Sequence, residues 1–280
     1  MKIKIISDST CDLSTQLIAE NDITLTPLTV VKNEEQFKDG VTITPAEIFA
    51  HVAAGGALCS TAANSIGEYA DVFEKYSKEF DGIIVITIGS GFSACYQNAC
   101  LAAEDFPNVR IVDSQNLSTA QGLIVLKACE LAKTAAGLDA LADELRAYAG
   151  KIEASFVVDK LDYLVKGGRC SSAAVLGANL LNLKPCIEVK DGKMAVGKKY
   201  RGKYDKCLAS YIKERLEGRE DIDTSTLFIT QTVISNEAYA AVKSAVAEYG
   251  AFETIHETVA GCTVSCHCGP GTLGVIFARK

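Results

Sequence analysis

The chain has 280 residues, of which 48% are hydrophobic and 22% charged, and this length is enough for one large globular domain or two. The formal net charge of −7 argues against a nucleic-acid-binding protein, because contacts to phosphates need a surplus of lysine and arginine. The first residues do not resemble a signal peptide, and no apolar run approaches the roughly 20 residues of a membrane span. We therefore expect a cytoplasmic protein without a membrane span.

The first half of the chain predicts strands that alternate with helices. The predicted strands are 2–6, 23–26, 83–88 and 109–112. The predicted helices are 12–20, a helix that begins after Thr44, 65–79, 94–103, 118–134 and 139–151. This alternation predicts an N-terminal α/β domain, residues 1–152, with a parallel sheet whose carboxyl ends form one polar rim. The side chains expected on that rim are Ser9, Thr61, Ser93 and Ser114, with 58–64 as a polar loop.

The second half predicts an α+β domain, residues 153–280. Its predicted strands are 154–158, 186–189, 194–198, 227–232, 253–259 and 274–278. Its predicted helices are 161–165, 172–181, 204–217 and 236–249. Asp191-Gly192 separates two of these strands and predicts a tight antiparallel hairpin.

The sequence contains eleven cysteines, an odd number scattered over a chain without a secretory signal. We interpret them as reduced thiols that mostly fill buried positions suited to small apolar residues. Cys262, Cys266, His267 and Cys268 are the one group that suggests a soft metal. If this segment is a strand, Cys266 and Cys268 face away from His267, and the spacing fits no standard zinc motif. We therefore expect no metal.

The stretch 83–99 predicts an anion-binding site. A buried strand is followed by a turn with Gly89 and Gly91, and Ser93 stands where an N-cap would precede a helix at 94–103. Free backbone N–H groups and the positive end of a helix dipole then point at one spot.

Three interpretations of this stretch remain open. Residues 89–94 match G-x-G-x-x-A, and Asp113 ends the next strand, as a dinucleotide-dependent oxidoreductase requires. Ser93 is alternatively the nucleophile of a serine hydrolase, although the second glycine of the nucleophile elbow is missing. The third interpretation is a helix cap and a tight turn without further function.

Two residues and one basic segment elsewhere are further candidates. His267 precedes Gly269-Pro270-Gly271 and is either a structural histidine or a ligand contact. Arg169 follows two glycines and forms either a clamp on a carboxylate or phosphate or a structural ion pair. Residues 184–206 contain eight Lys and Arg against three acids, which indicates either a solvated face or a docking surface for an acidic partner or phosphorylated product.

A series of short motifs runs along nearly the whole chain. It begins with Ser7-Asp8-Ser9-Thr10 and Asp12. It continues, in order, with Ser60-Thr61 and 65–69, 90–97, Val112-Asp113-Ser114, 161–169, 181–185, Tyr200-Arg201-Gly202 and 267–274. Together these motifs resemble the DegV family of bacterial fatty-acid-binding proteins. The resemblance implies two α/β domains with one long-chain fatty acid between them.

The resemblance also implies a role and a partner. A protein of this family presents the bound acid to a dihydroxyacetone-kinase-like fatty-acid kinase, which makes the acyl phosphate that feeds phospholipid synthesis. The binding protein is then not an enzyme, and its one ligand is the fatty acid, without a cofactor. Transient contact with a membrane surface is compatible with this role.

Residue by residue, the resemblance implies that Thr61, Ser93 and His267 hold the lipid carboxyl group and that the backbone around Ala94 completes the site. Arg169 and Arg201 would face the kinase or the phosphorylated head group. The chain departs from the family pattern at a few positions near this site. Ala94 and Cys95 stand where relatives have Gly and Thr, Ala62 replaces a Ser, and Ala63-Asn64 replaces Gln-Pro.

Overall fold

The computed structural model describes residues 1–175 and 183–280, and the chain forms two compact units. The first unit comprises Met1–Lys151 and Gly261–Val264, and the second comprises Ile152–Ala260 and Ser265–Lys280. The domains 1–152 and 153–280 remain a proposal. The compact units differ from them in the placement of Ile152 and of Gly261–Val264.

The first unit contains a four-stranded parallel sheet, as the sequence predicts. The unit as a whole has seven strands, which are β1 (Ile3–Asp8), β2 (Thr24–Thr26), β3 (Thr29–Lys32), β4 (Glu35–Lys38), β5 (Ser60–Ala62), β6 (Gly82–Thr87) and β7 (Val109–Asp113). The parallel sheet has the order β2-β1-β6-β7. Every residue of β6 is buried, which explains the apolar run without alternation in its sequence.

A second, three-stranded antiparallel sheet has the order β4-β3-β5, and the sequence analysis missed it. Thr61 belongs to this sheet, opposite Val30, and not to the rim of the parallel sheet. The expected polar loop 58–64 is therefore wrong at Ser60–Ala62. These strands are only three or four residues long and largely polar, so they lack the apolar pattern that marks a buried strand.

Six α-helices accompany these strands. They are α1 (Thr15–Glu20), α2 (Pro45–Ala53), α3 (Ile66–Ser77), α4 (Cys95–Ala103), α5 (Thr119–Leu131) and α6 (Leu138–Ala149). A short 3-10 helix, Ser9–Cys11, precedes α1, which begins at Thr15 and not at the predicted residue 12. Thr44 and Ser65, which stand at the start of two predicted helices, each form a capping box with the glutamate three residues later.

The second unit contains a six-stranded mixed sheet. Its strands are β8 (Ile152–Val158), β9 (Leu183–Lys190), β10 (Lys193–Arg201), β11 (Ile222–Gln231), β12 (Thr254–Val259) and β13 (Thr272–Arg279). The strand order is β10-β9-β8-β13-β11-β12, in which β11 and β12 are parallel and the other pairs antiparallel. Asp191 and Gly192 both have positive φ, 49° and 69°, as a tight hairpin turn requires.

The helices of the second unit match the predictions except at two places. They are α7 (Asp162–Gly167), α8 (Ser171–Val175), α9 (Tyr204–Leu216), α10 (Asn236–Tyr249) and α11 (Cys262–Cys268), of which α11 begins in the first unit. Most of the predicted helix 172–181, and the first part of the motif 181–185, lie outside the described residues. Residues 262–268 are helical, so the strand alternation argument for Cys266 and His267 is wrong.

The core of the second unit packs α9 and α10 against the sheet. It includes fully buried Tyr211, whose hydroxyl accepts the N–H of Val275 and bonds to Ser155 of β8. This packing holds β13, the strand that follows the turn 269–271.

Candidate functional site

The N-terminus of α4 lies directly after the buried strand β6, as expected. The helix begins one residue later than predicted, with Ala94 and not Ser93 at the N-cap. The Ser93 hydroxyl nevertheless accepts the N–H of Cys95 at 3.3 Å and donates to the Cys95 Sγ at 3.2 Å. Because alanine has no polar side chain, Ala94 offers no acceptor to the amides of the first helical turn.

Asp8 fixes the start of the loop that leads to this helix. Its buried carboxylate accepts the N–H of Ile88 at 2.6 Å and is also bonded by Thr10 and Gln121. Burial raises the pKa of Asp8, although the hydrogen bonds from these three residues oppose the shift. The buried carboxylate of Asp8 therefore fixes the position of the backbone after β6.

The turn itself is closed by Asp113. Its carboxylate accepts the Ser90 N–H at 3.0 Å, the Ser90 hydroxyl at 2.6 Å and the Gln115 N–H at 2.9 Å. In a dinucleotide site, the turn amides would bind the pyrophosphate and the acid would bind the ribose. Here the carboxylate of Asp113 binds the turn amide of Ser90, so each occupies the other's hydrogen-bonding group. This arrangement argues against the oxidoreductase interpretation.

Within the described residues of the first unit, the side-chain hydrogen bonds of Ser93 go to Cys95 and not to a base that could activate a serine nucleophile. His51 is the one histidine in the sequence of the first unit, and a Cβ on Gly56 would meet its Cε1 at 2.1 Å, so the ring packs against this glycine. The recorded acceptor of the Ser93 hydroxyl is a thiol. This geometry does not favour the hydrolase interpretation.

Asn64 connects the segment of Thr61 with α4. Its side-chain Nδ2 donates to the backbone carbonyl of Thr26 at 3.1 Å. Its backbone carbonyl accepts a hydrogen bond from Nδ2 of Asn98 on α4 at 2.7 Å. Thr61 is partly buried on β5, three residues before this bridge. The first unit thus ties the strand of Thr61 to the helix that follows Ser93.

Sequence reasoning did not single out Tyr69 as a site residue. Tyr69 lies on α3 without exposed surface, and its hydroxyl neighbours the Cys95 thiol. Burial raises the pKa of Tyr69 well above its usual value and that of Cys95 to about 11, so both groups are protonated at neutral pH. The position lies in the quoted motif 65–69, but only the packing shows its relation to Cys95.

In the second unit, His267 lies on the last turn of α11 and packs against Gly167. A Cβ on Gly167 would lie 2.5 Å from His267 Nδ1, so this contact requires glycine. Burial, together with the positive charge of Arg169, lowers the pKa of His267 to about 4. The imidazole is therefore neutral at pH 7.

Arg169 is exposed beside this histidine, and its guanidinium donates to the Gly167 carbonyl at 2.7 Å. The structure thus groups His267, Gly167 and Arg169. Gly269 and Gly271, in the turn after α11, have φ of 75° and 74°. A Cβ on Gly269 would lie 2.5 Å from the Tyr163 ring, and a Cβ on Gly271 would lie 2.6 Å from the Asp159 side chain. Glycine is required at both positions by conformation and by space.

Arg201 is the exposed last residue of β10. Its basic neighbourhood is partly neutralised, because three lysines of 184–206 form ion pairs. The pairs are Lys184–Asp159, Lys190–Glu188 and Lys198–Glu214. Both predictions for the basic segment, a solvated face and a docking surface, therefore apply only to the lysines and arginines outside these pairs.

All eleven cysteines lie within the described residues, where none of them forms a disulfide. Across residues 1–175 and 183–280, no group of three or more His, Cys, Asp or Glu is arranged to hold a metal ion. Nor does this part of the chain contain a helix that is long and apolar enough to cross a membrane.

Comparison with known proteins gives consistent matches along the full length. Residues 2–280 match the sequence model of a family described as uncharacterised protein, DegV family. A DegV domain-containing protein of Clostridium acetobutylicum is 31% identical, over 100% of this chain and 99% of its own length.

Two solved structures extend the comparison. A DegV family protein from Thermus thermophilus, described by its fatty acid binding, has a TM-score of 0.90 and 30% identity, over 100% of both chains. A stearic-acid-binding protein from Eubacterium ventriosum has a TM-score of 0.85 and 26% identity, over 99% of this chain and 98% of that one.

Proposed function

This chain belongs to the DegV family, and from that premise we propose that it binds a long-chain fatty acid and presents the carboxyl group to a partner. The partner is a dihydroxyacetone-kinase-like fatty-acid kinase, which makes the acyl phosphate for phospholipid synthesis. The chain itself is a cytoplasmic carrier without catalytic activity or a cofactor.

The observation that carries this proposal is the N-terminus of α4. The cap residue Ala94 contributes no side-chain acceptor to the first-turn amides, of which the Cys95 N–H is bonded to the Ser93 hydroxyl. Backbone N–H groups, a hydroxyl and the positive end of a helix dipole favour an anion of carboxylate size.

Burial of the acyl chain supplies most of the affinity. A sixteen-carbon acid has about fourteen CH₂ groups, whose burial contributes on the order of 11 kcal/mol before the costs of binding. An unpaired carboxylate in an apolar tunnel would cost several kcal/mol, so the head group needs polar partners. The proposed partners are the hydroxyls of Thr61 and Ser93, the backbone at Ala94 and the imidazole of His267.

Native mass spectrometry of protein purified from a bacterial host tests the binding function. We expect a bound fatty acid, and a protein that stays ligand-free after incubation with lipid would contradict the proposal. Thr61→Ala, Ser93→Ala and His267→Ala should each weaken retention of the acid. Wild-type retention in all three variants would show that the carboxyl group binds elsewhere.

The partner role is tested separately at the exposed arginines Arg169 and Arg201, proposed to face the kinase or the phosphorylated head group. Arg201→Ala should bind fatty acid normally but lose its phosphorylation when a fatty-acid kinase and ATP are added. Lys193→Ala, an exposed cation at the other end of β10, is the matched control and should support phosphorylation. Normal phosphorylation of Arg201→Ala would remove this residue from the docking surface.

A further inference from the structure

Tyr69 is a buried tyrosine whose hydroxyl lies beside the Cys95 thiol and the Asn64 side chain without reaching hydrogen-bonding geometry with either. The ring has no exposed surface and packs 5.9 Å from that of Phe73, and within the described residues the hydroxyl has no partner at hydrogen-bonding geometry. The side-chain oxygen of Asn64, which neighbours it, is in the same state. Buried polar groups are nearly always hydrogen-bonded, so this exception points to another state of the site in which the hydroxyl is used.

Cys95 links this hydroxyl to the proposed carboxyl site. The residue is fully buried at the first position of α4 and neighbours the Tyr69 hydroxyl on one side. On the other side its Sγ accepts the Ser93 hydroxyl at 3.2 Å. The Ser93 proton is therefore directed at a thiol, which is one of the weakest acceptors in a protein.

A carboxylate at the N-terminus of α4 would change the direction of this hydrogen bond. Because a carboxylate is a far stronger acceptor than a thiol, the Ser93 O–H would turn to it at the cost of one weak O–H···S contact. The Ser93 oxygen would then be free to accept the Cys95 S–H, and the Cys95 sulfur to accept the Tyr69 O–H. Each donor in such a chain polarises the next one and strengthens the last bond.

We infer that Tyr69, Cys95 and Ser93 form a hydrogen-bond relay that is completed when an anionic head group binds. Ser93 contacts the ligand, whereas Tyr69 and Cys95 are positioning residues that act through it. The inference rests on the proposed function, since the ligand carboxylate is what turns the Ser93 hydroxyl.

The protonation states of the two groups fit this arrangement. Burial, with the nearby negative charge of Asp8, keeps the pKa of Tyr69 well above its usual value and raises that of Cys95 to about 11. Both groups therefore remain donors throughout the physiological pH range. The relay moves hydrogen bonds and transfers no proton to the ligand.

Release of palmitate, measured by transfer to excess lipid vesicles, tests the relay. Tyr69→Phe and Cys95→Ala should each release palmitate about 2- to 10-fold faster than wild type, the effect of losing one hydrogen bond. Cys95→Ser keeps a donor and acceptor at this position and should restore slow release. Tyr76→Phe, on the same helix, removes a hydroxyl that accepts the Thr24 hydroxyl and should leave release unchanged.

A stability measurement separates this role from a structural one. Tyr69→Phe removes an unsatisfied buried hydroxyl, so it should not lower the unfolding temperature of the lipid-free protein. The stabilisation by palmitate should nevertheless be smaller than in wild type. Loss of stability in the lipid-free protein with unchanged palmitate release would show that the hydroxyl is structural and would overturn the relay.

Infrared spectroscopy reads the thiol directly. Palmitate should shift the Cys95 S–H stretch, isolated by subtraction of the Cys95→Ala spectrum, to lower frequency, because the thiol becomes a donor. An unshifted band in a protein that does bind palmitate would overturn the relay and leave the proposed function intact. A wild-type protein that binds no palmitate would overturn both.

Discussion

The carboxylate of Asp39 accepts the backbone N–H of Cys262 at 2.8 Å, although the two residues lie 223 positions apart in the chain. The same carboxylate accepts the N–H of Thr263 at 3.0 Å and the hydroxyl of Ser9, also at 3.0 Å. Asp39 thereby caps the first turn of α11, the helix whose last turn carries His267. A residue that follows β4 thus completes a helix formed by the far end of the sequence.

Removal of the Asp39 carboxylate should destabilise the protein strongly. Asp39→Ala leaves two backbone donors and one hydroxyl without an acceptor, and we expect a loss of about 2–4 kcal/mol in the free energy of unfolding. Asp39→Asn keeps one acceptor oxygen and should lose less. Urea unfolding monitored by circular dichroism gives both values, and an alanine variant within about 0.5 kcal/mol of wild type would show that the cap contributes little.

Asp12 should make stability depend on pH in a predictable direction. Its carboxylate accepts the Ser118 hydroxyl at 2.5 Å and the Gly261 N–H at 2.9 Å. Burial and the nearby Asp39 and Asp8 raise its pKa from 3.8 to about 8 in spite of these bonds. The folded state therefore binds more protons than the unfolded state between these values. Stability should fall as pH rises from about 4 to about 8, by at most about 1.4 kcal/mol per pH unit.

Asp12→Asn provides the comparison. The amide cannot ionise but can still accept the Gly261 N–H, so the variant should lose the part of the pH slope that Asp12 contributes. Asp71→Asn, at an exposed position of α3, should keep the wild-type slope. Urea midpoints of the lipid-free proteins at pH 5 and pH 8 measure the slopes, and parallel slopes for wild type and Asp12→Asn would contradict the assignment.

The parts of the fold that the sequence predicts are those encoded locally. The apolar run of β6, the capping boxes at Thr44 and Ser65, and the Asp191-Gly192 hairpin each depend on neighbouring residues, and all are present. Helix α11 could not be predicted in this way, because its cap comes from Asp39. Strand β5 was missed because its stability comes from pairing with β3.

The residues of the candidate site likewise fall into those that the sequence indicates and those that only the packing shows. Ser93 was singled out because a buried strand, a glycine turn and a helix follow one another in the sequence, and Ala94 because of the family resemblance. The neighbourhood of Tyr69 and Cys95 joins two helices, and nothing in the spacing of these residues indicates that their side chains meet. The contact of Gly167 with His267 spans 100 positions and is equally invisible in the sequence.

Gly167→Ala should displace His267. The added Cβ would lie 2.5 Å from Nδ1 of the imidazole, which is too close, so the ring must move. Because we propose His267 as a contact of the ligand carboxylate, palmitate retention should fall toward that of His267→Ala. Native mass spectrometry compares the two variants.

Gly67→Ala, at a position with nothing within 4 Å of the added Cβ, is the matched control and should retain palmitate normally. The His267 imidazole signal in two-dimensional NMR spectra should also shift in Gly167→Ala. An unchanged signal together with wild-type retention would show that the backbone absorbs the new methyl group.

His267 should take up a proton when a fatty acid binds. In the lipid-free protein, burial and Arg169 lower its pKa from 6.5 to about 4, so stability should fall as pH drops through that interval because the unfolded state binds the proton first. A carboxylate in contact with the imidazole favours the charged form and raises this pKa. Binding at pH 5 should therefore be accompanied by proton uptake, which calorimetry in buffers of different ionisation enthalpy measures. His267→Gln should lose the His267 part of that uptake, whereas equal uptake by variant and wild type would place the carboxylate away from His267.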